Sequence, residues 1–282
     1  MDTRQLPHSR EGFARQTKRV IRGAVANLFG DAAAARLGLS YRRLSSALGI
    51  QPAARSQSNE TELLDLLLRG LDVPRTFCEF GFEAAEFNCV ALLRAGWQGL
   101  LIDGSDKQVA AANKAFAKLR ATAVCAFLDV SNVRATVEVR MPRGRIGVLS
   151  VDVDGNDYWL LKELLPLEPA LVVSEYNASF GLRPITVPYD PKFRRHEKHS
   201  SGLYHGASLT ALTRLCAANG YGLVAVSESG LNGFFLRRDL IRGSLQSSPE
   251  AIYKQNFFRN KWLGTTADQQ WKLISHLPYV EV

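Results

Sequence analysis

The chain lacks paired cysteines and long apolar runs. Cys78, Cys89, Cys125 and Cys216 stand apart with no C-x-x-C spacing, which argues against a disulfide framework or a thiolate zinc site and for buried free thiols. No stretch approaches the roughly 18 uninterrupted apolar residues of a membrane span. The opening residues, MDTRQLPHSREGF, lack the apolar centre of a secretion signal. The expected compartment is the cytoplasm, with no membrane span. The fingerprint G-x-G-x-x-G is also missing: after Gly81 the stretch EFGFEAAEFN offers no second or third glycine, and Glu79, Glu83 and Glu86 crowd the turn. A pyrophosphate would be repelled there, which disfavours NAD.

What is present is ordinary for a globular protein of 282 residues, 46% hydrophobic and 22% charged. The net charge of +8 is uneven, because residues 1–55 carry ten Lys/Arg against three Asp/Glu, whereas residues 56–282 carry 25 against 24. The aromatics of the basic segment, Phe13, Phe29 and Tyr41, are too sparse to interleave its basic residues as single-stranded nucleic-acid binding requires, so no nucleic-acid partner is expected. Residues 13–29 place Val20, Ile21, Ala24, Val25, Leu28 and Phe29 on one stripe, an amphipathic helix suited to packing on the body or on a second subunit. The expected organisation is a helical extension over 1–70, a main domain over 71–240 and a helical tail over 241–282.

In the main domain, short apolar runs alternate with helical patterns. TFCEF (76–80), GLLID (99–103), TAVCAF (122–127), IGVLSV (146–151) and ALVVSEY (170–176) read as strands, with helices over 84–95, 107–119 and 156–165. Such alternation predicts parallel strands with crossovers in a doubly wound α/β sheet. Residues 177–206 have no clear periodicity. A helix over 207–219 follows, then GLVAVS and LNGFFLRR, joined so tightly that they must be antiparallel. Five parallel strands, a sixth and an antiparallel seventh result.

Three carboxylates stand where the fourth strand gives way to a helix, in VLSVDVDGNDYWLLKEL. Asp152 and Asp154 share one strand face by the two-residue period. Asp157 falls on the first helical turn, where its charge suits the helix N-terminus and where Asn would serve nearly as well. This edge of an open sheet is where ligands bind. Glu79 and Gly81 close the first strand; Asp103 closes the second, where a carboxylate can accept from ribose hydroxyls. Asp129 follows the third, as an adenine neighbour or a helix cap.

The strand order resembles the seven-stranded sheet of class I S-adenosylmethionine (SAM) dependent methyltransferases. E-F-G at 79–81, L-I-D at 101–103 and L-D at 128–129 resemble SAM-binding motifs, and VDVDGNDYWLLKEL resembles the D-x-D/E-G segment of FkbM-type methyltransferases, which modify hydroxyl groups of sugars and natural products. The resemblance implies SAM as cofactor, with Glu79 toward the methionine end, and Asp152 facing the methyl group and the substrate.

On the acceptor side, His196, His199 and His205 cluster in the long connector with Arg194 and Arg195. A connector of this length in a compact domain is typically a lid or binding loop. Expected substrate contacts are Asp154, Asn177, Arg194, Arg195 and His199, for a small polar molecule that is glycosylated or anionic. A hydroxyl acceptor needs a base. His205 is the first candidate and Asp152 the second, while capping or packing is the alternative role for His205. Glu175 stands opposite Asp152, and the pair could share a proton, hold hydroxyls or bind Mg²⁺ through oxygen. A nicotinamide-dependent oxidoreductase and a non-catalytic SAM-fold binding protein are the rival readings.

Overall fold

The computed structural model describes residues 54–282 apart from Pro142. The expected amphipathic helix at 13–29, and any association through it, lie outside the described residues. Strands β1 (Thr76–Phe80), β2 (Gln98–Asp103), β3 (Ala121–Cys125), β4 (Val148–Val151), β5 (Leu171–Glu175), β7 (Tyr221–Val226) and β8 (Asn232–Arg237) form one sheet in the order β3-β2-β1-β4-β5-β8-β7. The first five are parallel, and β8 runs antiparallel between β5 and β7. This is the doubly wound, Rossmann-like methyltransferase fold expected from the sequence.

The central strands read as apolar runs because both faces are covered. Phe80, Ile102, Val151 and Val172 pack on one face beneath α4 (Val133–Glu138), α5 (Asp157–Leu164) and α7 (Leu209–Ala218). Phe77, Leu101, Val148 and Val173 pack on the other, against α1 (Glu60–Leu68), α2 (Val90–Arg94) and α3 (Asp106–Ala115). Helix α1 buries Leu64 and Leu67 in this second layer. Residues 54–282 therefore form one packing unit, and α1 belongs with the sheet rather than with an extension ending at residue 70.

Three local expectations change. The helix expected over 84–95 spans only Val90–Arg94, because the backbone N–H groups of Asn88 and Cys89 turn back onto the Glu79 carboxylate and delay the helix start. Strand β4 stops at Val151, and Asp154 adopts φ +57, so Asp152 and Asp154 do not continue along one strand face. The connector at 177–206, read as irregular, holds β6 (Ile185–Thr186) and α6 (Arg195–Lys198), and β6 pairs with β9 (Val280–Glu281). The tail forms α8 (Pro249–Ile252), α9 (Phe257–Leu263) and α10 (Ala267–Ile274), and Phe180, Ile185, Val187, Leu203, Tyr204 and Ile274 make a small third core between connector and tail. Of the cysteines, Cys78, Cys89 and Cys216 are buried, but Cys125 is exposed. No helix among the described residues is long and apolar enough to cross a membrane.

Candidate functional site

The parallel register aligns Phe80 with Ile102 and Val151, and Val151 with Ser174. Glu79, Gly81, Asp103, Asp152 and Glu175 therefore share the carboxyl edge of the sheet. Gly81 sits at φ +71, and a Cβ there would fall 1.5 Å from the Asp152 carbonyl oxygen. Only glycine lets β1 turn this close to the end of β4.

Glu79 is buried. Its two carboxylate oxygens accept the N–H groups of Asn88 and Cys89 at 2.6 and 2.8 Å. Burial raises its pKa to about 7 against these two lowering contacts. Glu79 thus shapes the β1–α2 loop from inside rather than facing a ligand. Asp103 is half-buried, and its carboxylate accepts one hydrogen bond among the described residues, from Ser105 N–H at 2.7 Å. Beside it the Phe127 ring lies against Gly104 and is 77% exposed. Asp129 accepts from Ser131 N–H at 2.7 Å, from the Ser131 hydroxyl and from Asn132 N–H at 3.1 Å, the geometry of a turn cap.

The acids of the opening motif separate in role. Asp157 is fully buried and accepts from Val153 N–H at 2.7 Å and Gly155 N–H at 2.9 Å, closing the turn from within. The helix N-cap position falls to Asn156, whose amide instead donates to the Asp190 carbonyl at 2.8 Å. Trp159 donates its indole N–H to Val187 O at 2.9 Å, so α5 fastens the connector over the strand ends. Asp152 and Glu175 accept no side-chain hydrogen bond among the described residues. Carboxylate oxygens of Asp152, Asp157 and Glu175 lie within 4.8 Å of one another. Burial and this crowding raise Asp152 well above the ordinary carboxylate range, Glu175 to about 8 and Asp157 to about 6.

Three of the connector's five Lys/Arg are paired with acids. Arg195 pairs with Asp154, Lys198 with Asp190 at 2.6 Å, and Arg194 with Glu197 at 3.7 Å. His199 bonds the Ser201 hydroxyl at 2.7 Å. Asn177 is saturated: its amide donates to Leu203 O and His205 O at 2.7 and 2.8 Å, and its oxygen accepts from Ser179 N–H and Arg259 at 3.0 and 2.8 Å. It therefore has no capacity left for a substrate and braces the loop. His205 is fully buried, with Nδ1 3.7 Å from Glu175 Oε2 and Nε2 2.9 Å from Arg259 Nη2. Two site neighbours escape sequence reasoning. Phe127 reads as the end of the strand TAVCAF, whereas β3 stops at Cys125 and leaves it exposed, and Arg259 lies 54 residues beyond His205, where only an arginine among aromatics in FFRNKWL marks it.

Neither a protein-family model nor a curated protein matches the chain. Among solved structures it is similar to a TehB-like SAM-dependent methyltransferase from Corynebacterium glutamicum, with 13% identity, 73% of this chain and 100% of that one covered, and a TM-score of 0.42. It is similar also to an O-methyltransferase from Bacillus cereus in complex with S-adenosylhomocysteine (SAH), with 16% identity, 77% and 96% covered, and a TM-score of 0.44. A third is the plantazolicin methyltransferase BamL in complex with a triazolic desmethylPZN analog and SAH, with 11% identity, 82% and 100% covered, and a TM-score of 0.41. These likenesses concern the fold.

Proposed function

We propose that the chain is a SAM-dependent methyltransferase that acts on a hydroxyl group of an uncharged polar small molecule, in keeping with the FkbM-like segment at 151–164. The observation that carries the reading is the state of the β1–α2 turn. The N–H groups that a dinucleotide's pyrophosphate would use at such a turn are taken by the Glu79 carboxylate. The turn suits a cofactor without phosphates and repels one with them.

The residues at the neighbouring edge fit SAM. Asp103 has a carboxylate oxygen left for ribose hydroxyls, and the exposed Phe127 ring offers a face on which adenine can stack. The acids at the β4 and β5 ends favour a cationic neighbour over an anionic one. When bound, SAM supplies a methyl group whose C–S bonding pair stays on sulfur. Asp152, paired with Glu175, takes the proton that the acceptor hydroxyl loses as its oxygen forms the new O–C bond. Burial and the neighbouring acids raise both carboxyl groups above the ordinary range, which makes their ionised form a stronger base.

An anionic acceptor is disfavoured. Arg194, Arg195 and Lys198 of the connector are already paired with acids, and the carboxyl groups gathered at the strand ends offer an anion no counter-charge. Mg²⁺ on Asp152 and Glu175 has no part in this reading, which uses both carboxylates for the proton. Activity lost to a chelator and restored by Mg²⁺ would restore the metal. Calorimetry tests the cofactor placement. SAM should bind the wild-type chain, and Asp103→Ala should weaken it by about 1.5–3 kcal/mol, one or two hydrogen bonds to a charged group. Equal affinity in both would remove Asp103 from the site.

A further inference from the structure

His205 has only one lone pair to offer when neutral, and none when protonated. A guanidinium donates and never accepts. The 2.9 Å contact from Arg259 Nη2 therefore requires Nε2 to be the acceptor, which makes His205 neutral with its proton on Nδ1. That Nδ1 is a buried polar atom with no hydrogen-bond partner, and it points at the acids: Glu175 Oε2 lies 3.7 Å away, and Asp154 is within the same 4.8 Å cluster.

Arg259 is itself held from several sides. Its Nη1 donates to Asn177 Oδ1 at 2.8 Å and Ser179 Oγ at 3.0 Å, and its backbone N–H caps onto Asn256 at 2.9 Å. The Ser179 hydroxyl donates onward to Gln270 Oε1 of α10 at 2.7 Å. The tail, the turn after β5 and the connector thus meet at one buried cation. Burying a guanidinium is costly, and an apolar side chain would serve stability as well or better. The forked donor is what an apolar residue cannot supply.

Resting on the methyltransferase reading above, we propose that Arg259 is a positioning residue that locks His205 in the Nδ1–H tautomer and turns that N–H on Glu175. The proton of the acceptor then goes to the Glu175–Asp152 pair and not to His205. The same lone-pair count removes His205 as a metal ligand, because Nδ1 carries a hydrogen. Burial, with Arg195, Arg259 and His196 nearby, lowers the His205 pKa well below its ordinary value, in agreement with a neutral ring.

Nitrogen-15 NMR of the imidazoles in the full chain tests this, with His205 assigned by loss of its signals in His205→Asn. The wild type should show the Nδ1–H tautomer, with no titration between pH 5 and 9. Arg259→Met should lose the lock, giving a mixed or Nε2–H ring, while Arg259→Lys, which restores one donor, should return the Nδ1–H form. An Nε2–H ring in the wild type, a ring that titrates near pH 6.5, or an unchanged tautomer in folded Arg259→Met would each overturn the proposal. If Arg259→Met does not fold, the wild-type tautomer and Arg259→Lys decide it. SAM affinity, read separately by calorimetry, should not change in Arg259→Lys, so a failure of SAM binding in the wild type would count against the methyltransferase reading alone.

Discussion

Glu79 and Glu175 close two parallel strands of one sheet at the same edge, and both are buried. They differ in what surrounds the carboxylate. Glu79 is filled by two backbone N–H donors, so its charge is used in building the β1–α2 turn. Among the described residues Glu175 meets no donor within hydrogen-bond reach, lies near Asp152, Asp157 and Asp154, and has the His205 ring 3.7 Å away with the Arg195 and Arg259 charges nearby. A buried acid whose lone pairs are satisfied is structural, whereas one left unsatisfied among like charges is available for proton chemistry. Residue type and strand position do not distinguish the two.

The largest expected effect lies on the unsatisfied side. Asp152→Asn preserves shape but cannot take a proton, so SAH release with a hydroxyl acceptor should fall 10²-fold or more, the scale of general-base catalysis. Turnover near wild type would assign proton removal elsewhere.

On the satisfied side, amide replacements should cost stability. Glu79→Gln and Asp157→Asn each leave one backbone N–H facing an amide NH₂ instead of an oxygen, at a cost of about 1–3 kcal/mol in chemical denaturation. For Asp157 this exceeds the few tenths of a kcal/mol that a helix-start charge alone would predict. Unchanged denaturation midpoints would mean that the carboxylates are not bound as described.

A smaller effect covers both regions at once. Asp157, Glu79 and Glu175 have pKa values raised to about 6, 7 and 8, chiefly by burial, with like charges contributing. The folded chain therefore holds protons that the unfolded chain has already released. The sign follows: their contribution is full below the ordinary carboxylate range near pH 4 and declines as the pH rises toward 8. Denaturation at pH 5 and pH 8 should give the lower stability at pH 8, by about 1 kcal/mol or more. Stability rising across that window would contradict the burial of these acids.

Much of this was legible in the sequence, for physical reasons that also mark the limit. Strands covered on both faces must be apolar throughout, so β1, β2, β4 and β5 announce themselves. Asp103 and Asp152 stand out because acids rarely end such runs without a use. The partners did not show. Glu79 takes its donors from a loop nine and ten residues on, and His205 takes Arg259 from a helix 54 residues away. The connector holds more Lys/Arg than acids in sequence, and folding brings it Asp154 from the β4 end to pair with Arg195. Charge composition records how many ions a segment holds, not which ones are neutralised.

The central claim is that this sheet edge takes SAM and not a dinucleotide, and thermal unfolding of the wild-type chain with each ligand tests it most directly. A ligand present at a hundred times its dissociation constant adds about 2.7 kcal/mol of stability. SAM and SAH should each raise the unfolding temperature in a concentration-dependent way while NAD leaves it unchanged. A rise with NAD and none with SAM or SAH would contradict the account.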